Sequence, residues 1–183
     1  MSNDYKTNQK MIFMSKFTPE QITELNDKLK TPEEVLGWGL ENIHPKLALA
    51  SSFGAEDVCV IHMLSKSNPE ARVFSLDTGR INQETYDVMD EIRKKYKTKI
   101  EIDEQHDSMV KLNPILDWSW EQTMGYIKEN DIPYNKLIDD GFPSIGCEPC
   151  TRAIKPGEDL RAGRWWWENQ SDKECGLHMD HKK

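Results

Sequence analysis

Ile22, Leu25 and Leu29, then Val35, Leu36 and Leu40, recur at the three- and four-residue spacing that collects apolar side chains on one helix face. Each set follows a helix-start signature, Thr18-Pro19-Glu20-Gln21 and Thr31-Pro32-Glu33-Glu34, with Pro at the first helical position and an acid or amide three residues after the Thr. The chain is therefore predicted to open with two short helices. The pattern then changes to a compact apolar run at 46–51, a Ser/Gly turn, and a helix beginning near Ala55. The rhythm repeats: the strand "ARVFSLDTGR" ends in a polar turn, the helix "INQETYDVMDEIRKKY" carries Ile81, Met89, Ile92 and Tyr96 on one side, and "KIEI" (99–102) reads as a third strand. Strands alternating with helices predict an α/β fold, a parallel sheet with helices on both faces.

The alternation breaks after residue 102. Only six residues separate "KIEI" from the strand-like "MVKLNPIL" (109–116). A parallel crossover needs a dozen or more residues, so the two runs form a hairpin or one of them is not a strand there. Ser119-Trp120-Glu121-Gln122 then opens a helix to about Asn130, and the remainder is punctuated by Gly and Pro.

Length and charge narrow the picture. A chain of 183 residues suits a single domain with a real core, here 1–183, with 1–16 expected to be disordered. The net charge of -8 argues against a broad nucleic-acid-binding face, which needs a stripe of Lys and Arg. No apolar run approaches the roughly 20 residues of a membrane span, and "MIFM" (11–14) is too short for a signal-peptide core, so a cytoplasmic protein without membrane partners is expected. Four unevenly spaced cysteines then point to metal binding or catalysis rather than a disulfide framework.

Chemistry concentrates in three places. "SSFGAED" (51–57) lies between a strand and a helix, where small residues let backbone N–H groups approach an anion, although an ordinary turn accounts for it equally well. "LDTGR" (76–80) ends the next strand, and two such loops on one carboxyl edge point to a nucleotide site. Cys59, among Val58, Val60, Ile61 and Met63, reads as a buried structural thiol.

The third place is "SIGCEPCTRAIKPGEDLRAGRWWWENQSDKECGLH". Cys147 and Cys150 form a C-x-x-C that suits a redox pair, half a zinc site or half an iron–sulfur site; with Cys175 and His178 they would make a Cys3His zinc site. Arg152, Lys155, Arg161 and Arg164 cluster as a phosphate or sulfate group requires, or Arg161 and Arg164 simply answer Glu158 and Asp159. Trp165, Trp166 and Trp167 are expected to pack rather than stack on a ligand.

"SSFGAED", "LDTGR", "FPSIGCEPCTRAIKPGEDLRAGRWWWE" and "KECGLH" closely resemble the thioredoxin-dependent adenylylsulfate reductases, relatives of the phosphoadenylylsulfate reductases, from about residue 17 to 178. The resemblance implies an adenine nucleotide α-hydrolase-like (Rossmann-like) fold. It also implies reduction of adenosine 5'-phosphosulfate to sulfite and AMP in assimilatory sulfate reduction and cysteine biosynthesis, with thioredoxin as electron donor. By motif match Cys175 is the nucleophile that forms an S-sulfocysteine, on a mobile tail at 165–183, and Cys147 and Cys150 are ligands of a [4Fe–4S] cluster. Arg161 and Arg164 would contact the sulfonucleotide; Ser51, Ser52, Gly54 and Asp57, with Asp77, Thr78, Gly79 and Arg80, would hold the nucleotide. A homo-oligomer is compatible with all of this.

The chain departs from that family at one place. The family's cluster also uses an adjacent Cys-Cys pair in the middle of the chain, and this sequence contains none. In the family that pair, a nearby lysine and a central strand-helix segment fall where the strand rhythm breaks here, so several dozen residues are expected to be missing. The competing readings are an inactive, internally deleted reductase and a zinc-stabilised Cys3His binding module.

Overall fold

The computed structural model describes residues 11–12, 17–44, 46–102 and 111–167. Both threonine caps form as their sequence requires. The Thr18 hydroxyl accepts the Gln21 N–H while the Gln21 side chain accepts the Thr18 N–H, and Thr31 and Glu34 repeat the exchange. The pairs satisfy otherwise orphaned donors and start α1 (Pro19–Lys28) and α2 (Pro32–Asn42). Ahead of them lies β1 (Met11–Ile12).

The α/β core follows as β2 (Ala48–Ala50), α3 (Ala55–Ser67), β3 (Arg72–Ser75), α4 (Gln83–Tyr96) and β4 (Ile100–Ile102). The three strands are parallel in the order β2-β3-β4, with Ala50 opposite Phe74 and Ser75 opposite Ile102. Parallel register sets the carboxyl ends of β2 and β3 side by side, and a Ser51 N–H to Phe74 carbonyl bond of 2.9 Å ties them there. Because the strand order is sequential, the described sheet has no topological switch point; the shared carboxyl edge alone places a ligand.

One core joins these elements: Val58, Cys59 and Ile61 of α3, Val73 of β3, and Val88, Met89 and Ile92 of α4 pack with Ile127 of α5 (Trp120–Glu129). Each such apolar side chain contributes about 1.5–3 kcal/mol on full burial. Ser119 caps α5 with Gln122 as its spacing predicts. Buried Asn135 donates to the Thr85 hydroxyl at 3.0 Å and accepts the Leu137 N–H, which fastens the segment after α5 onto α4. His62 is also buried, with Nδ1 2.8 Å from the Tyr96 hydroxyl, and burial pushes its pKa down. No helix among the described residues is long and apolar enough to cross a membrane.

Two local expectations change. Ile81 stands outside α4, whose N-cap is Asn82, and makes an antiparallel bridge with Cys147 instead. β5 (Lys111–Leu112) makes no hairpin with β4; it pairs antiparallel with β1, and Leu112 joins Leu29 and Val35 over the helices. Of the stretch 1–16 expected to be disordered, Met11–Ile12 form β1 and the rest lies outside the described residues.

Candidate nucleotide and thiol site

The first loop closes on itself. Asp57, in the first turn of α3, accepts the Ser52 N–H at 2.5 Å, the Ser52 hydroxyl at 3.0 Å and the Ser51 hydroxyl at 3.4 Å. Burial raises the Asp57 pKa, and the Ser52 bonds offset part of that rise. The Ser51 hydroxyl also accepts the Phe53 N–H at 3.1 Å. Phe53 is fully buried yet takes a left-handed backbone with φ 59°, a conformation that costs a non-glycine residue about 1–3 kcal/mol. Packing of its ring in the core compensates, and Gly54 then caps α3 without a side-chain bond. Part of the loop's donor set is thus spent on the chain's own carboxylate.

The second loop is shaped by Asp77. One carboxylate oxygen accepts the Gly79 N–H at 2.7 Å and the other accepts the Tyr86 hydroxyl at 2.9 Å; the Asp77 partner raises the Tyr86 pKa. Gly79 sits at φ 68°, where a side chain would be strained. Asp77, Thr78, Gly79 and Arg80 are all exposed.

The C-x-x-C segment is sewn onto this loop. The Thr78 hydroxyl lies 3.1 Å from Cys147 Sγ, the Glu148 N–H donates to the Arg80 carbonyl at 2.9 Å, and Asn82 Nδ2 donates to the Gly146 carbonyl at 3.2 Å. Cys147 precedes a short 3-10 turn, Glu148–Cys150, whose Cys150 N–H returns to the Cys147 carbonyl. Thr151 links both sides, accepting the Gly146 N–H and donating to the Cys147 carbonyl. Both thiols are half-buried.

The basic cluster divides. Arg152 makes a two-point pair with Glu158 at 2.8 and 3.1 Å, which holds the Glu158 carboxyl down at about 2. Glu158 is therefore answered by Arg152, not by Arg161 or Arg164. Arg164 reaches across Gly146 to the Ile145 carbonyl (3.1 Å) and the Ser144 hydroxyl (3.4 Å), and lies 4.4 Å over the Trp165 ring. Arg161 is exposed, its backbone N–H donating to Asp159. The Trp165 backbone N–H donates to the Cys150 carbonyl, whereas Trp166 and Trp167 stay exposed in an edge-to-face pair, contrary to the packing expected of them.

The fold therefore brings Asp77, Thr78, Gly79 and Arg80 against Cys147, with Cys150 and Arg164 in the same segment. Ser51, Ser52, Gly54 and Asp57 open from the adjacent strand end. Cys175, the expected nucleophile, and His178, with Cys175 the remaining half of the expected Cys3His set, lie outside the described residues. Sequence reasoning missed Tyr86, Asn82, Thr151 and Phe53; only the N-cap position of Asn82 carried a local signal.

The residues do not fit a four-cysteine cluster within one chain. Cys59 is buried on α3, its thiol 3.8 Å from the Thr123 carbonyl, and burial pushes its pKa up to about 12. That leaves at most three of the four cysteines. Among the described residues no group of three or more His, Cys, Asp or Glu is placed to hold a metal ion.

Comparison with known proteins supplies the context. The phosphoadenosine phosphosulfate reductase domain profile matches in two overlapping stretches, residues 46–109 and 97–153. The chain is similar to the adenosine 5'-phosphosulfate reductase of Burkholderia cepacia, 32% identical over 204 residues spanning 74% of this chain and 82% of the relative. It is 31% identical over 225 residues to that of Neisseria meningitidis serogroup A, spanning 85% of this chain and 92% of the relative. Those alignments are longer than the part of this chain they take in, so several dozen aligned positions have no residue here. Phosphoadenylyl-sulfate reductase from Candida auris, in a phosphate complex, superposes with a TM-score of 0.68 at 21% identity, over 76% of this chain and 98% of that one. Yeast FAD synthetase shares the fold with a TM-score of 0.58 at 9% identity, over 76% of this chain and 70% of that one.

Proposed function

Because the chain belongs to the phosphoadenosine phosphosulfate reductase family, we propose that it reduces adenosine 5'-phosphosulfate to sulfite and AMP in sulfate assimilation. The observation that carries this reading is the attachment of the 76–80 loop to the C-x-x-C segment through Thr78 and Cys147, on the edge where parallel sheets bind ligands. Ser51, Ser52, Gly54 and Asp57, with Asp77, Thr78, Gly79 and Arg80, would contact the nucleotide, and Arg161 and Arg164 the sulfonucleotide anion.

Cys175 supplies the nucleophile. Its thiolate attacks the sulfate sulfur, a sulfur–sulfur bond forms, the sulfur–oxygen bond to phosphate breaks, and AMP leaves with the electron pair. Attack on an anion needs cationic groups to offset repulsion and to stabilise the departing phosphate. One thioredoxin thiol then attacks Cys175 Sγ and expels sulfite, and the second thiol resolves the mixed disulfide, leaving oxidised thioredoxin and a free Cys175.

Incubation with adenosine 5'-phosphosulfate in the absence of reductant, followed by peptide mass spectrometry, tests the reading. A sulfonate adduct on Cys175, removed by reduced thioredoxin, is expected. The gap in the alignments favours a second reading, an inactive reductase with an internal deletion, and an unmodified Cys175 would establish it in place of the first.

A further inference from the structure

We propose that Cys147 and Cys150 form a reversible intramolecular disulfide whose closure releases the Thr78 end of the 76–80 loop. The Cys150 N–H returns to the Cys147 carbonyl at 2.9 Å and closes a short turn between them. Such a turn keeps its end Cα atoms within about 7 Å, and a disulfide spans about 4.4–6.8 Å. The turn thus already holds the two residues at about the separation the bond needs. Pro149 fixes one backbone angle inside it, and the Thr151 hydroxyl ties its start by donating to the Cys147 carbonyl at 3.0 Å. Both thiols are free and half-buried, so a small disulfide reaches them, unlike Cys59 in the core. Accessible pairs of this kind form the labile, exchangeable class of disulfide.

The link to the loop runs through Cys147, whose Sγ lies 3.1 Å from the Thr78 hydroxyl. A disulfide sulfur has no proton to donate and accepts only weakly, and turning Sγ onto Cys150 draws it from Thr78. Thr78 therefore stabilises the dithiol state, and oxidation frees its side chain. The bonds from the Glu148 N–H to the Arg80 carbonyl and from Asn82 to the Gly146 carbonyl use groups that the oxidation does not touch. The far end of the loop stays attached, and only its Thr78 end answers to the redox state. Under the proposed function this loop contacts the nucleotide, and that consequence alone rests on that reading.

The exchange balances with a low-molecular-weight disulfide as oxidant. One thiolate attacks a sulfur of that disulfide and expels a thiol; the second thiolate attacks the mixed disulfide and expels the other. Two electrons pass from the pair to the oxidant, and the two cysteine protons end on the thiols released. A dithiol reductant runs the steps backward.

Glutathione redox buffers of graded composition, applied to the full-length reduced chain and quenched by alkylation, test the site by peptide mass spectrometry. The expected product is a peptide carrying the Cys147 to Cys150 bond, lighter by the two thiol hydrogens, in the parent and in Cys175→Ser alike. Dithiothreitol should restore both thiols. Thr78→Val should move the midpoint ratio several-fold toward the disulfide, because it removes a bond made only by the reduced pair. Glutathione on Cys147 or Cys150 of the parent with no internal bond, pairing of either with Cys175, or a pair that stays reduced at every ratio would each overturn the disulfide. An unmoved midpoint in Thr78→Val would overturn its tie to the loop. None of these readouts depends on reductase activity, so the proposed function and this site can fail separately.

Discussion

The Tyr86 hydroxyl, projecting from α4, donates to Asp77 Oδ2 at 2.9 Å, while the other oxygen of the same carboxylate accepts the Gly79 N–H at 2.7 Å. A helix side chain thus holds the residue that shapes the 76–80 loop. Tyr86→Phe removes that anchor and leaves the ring in place. AMP affinity, measured by calorimetry, should fall several-fold, and Asp77→Ala should lower it further because the Gly79 bond goes as well. Unchanged affinity in Tyr86→Phe would mean that the turn around Gly79 holds the loop by itself.

The three described cysteines should react unequally. Native chain treated with iodoacetamide near neutral pH should be modified at Cys147 and Cys150 and spared at Cys59, whose buried thiol is pushed up to about 12. Denaturant should expose Cys59 to the same reagent. Peptide mass spectrometry reads each position, and early labelling of Cys59 would contradict its place in the core.

Acid should loosen the segment after the C-x-x-C through Glu158. Arg152 holds that carboxyl at about 2 against an ordinary 4.5, so its contribution to stability is complete above about pH 4.5. Between there and about pH 2 the unfolded chain takes up the proton first, and the contribution is lost. Thermal unfolding at a series of pH values should show a shallower acid decline in Glu158→Gln than in the parent.

Gly146 is a close approach within the thiol segment. A Cβ there would stand 2.6 Å from the Arg164 Cζ, so the guanidinium must leave its bond to the Ile145 carbonyl. Gly146→Ala should cost about 1–3 kcal/mol in denaturant unfolding, chiefly the loss of that charge-assisted hydrogen bond. Gly37→Ala, which meets no atom within 4 Å, is the matched control in an open position.

Local signals were read correctly where the physics is local. Thr18, Thr31 and Ser119 satisfy helix donors three residues away, so their spacing alone placed the starts of α1, α2 and α5. The broken strand rhythm after residue 102 was legible as well, and it coincides with the overlap of the two matched stretches at 97–109. The pairing of β5 was not legible. Two-residue strands carry almost no register information, and β1 lies far away in the chain.

The sequence by itself determined the order of the helices and of the three core strands and the C-x-x-C pair, because periodicity, capping and C-x-x-C spacing act over a few residues. Only the tertiary structure decided that Thr78 meets Cys147 across 69 residues, that Glu158 belongs to Arg152, and that Trp166 and Trp167 face outward. Such contacts depend on which strand ends and loops the packed core brings together, and no local pattern in the chain specifies them.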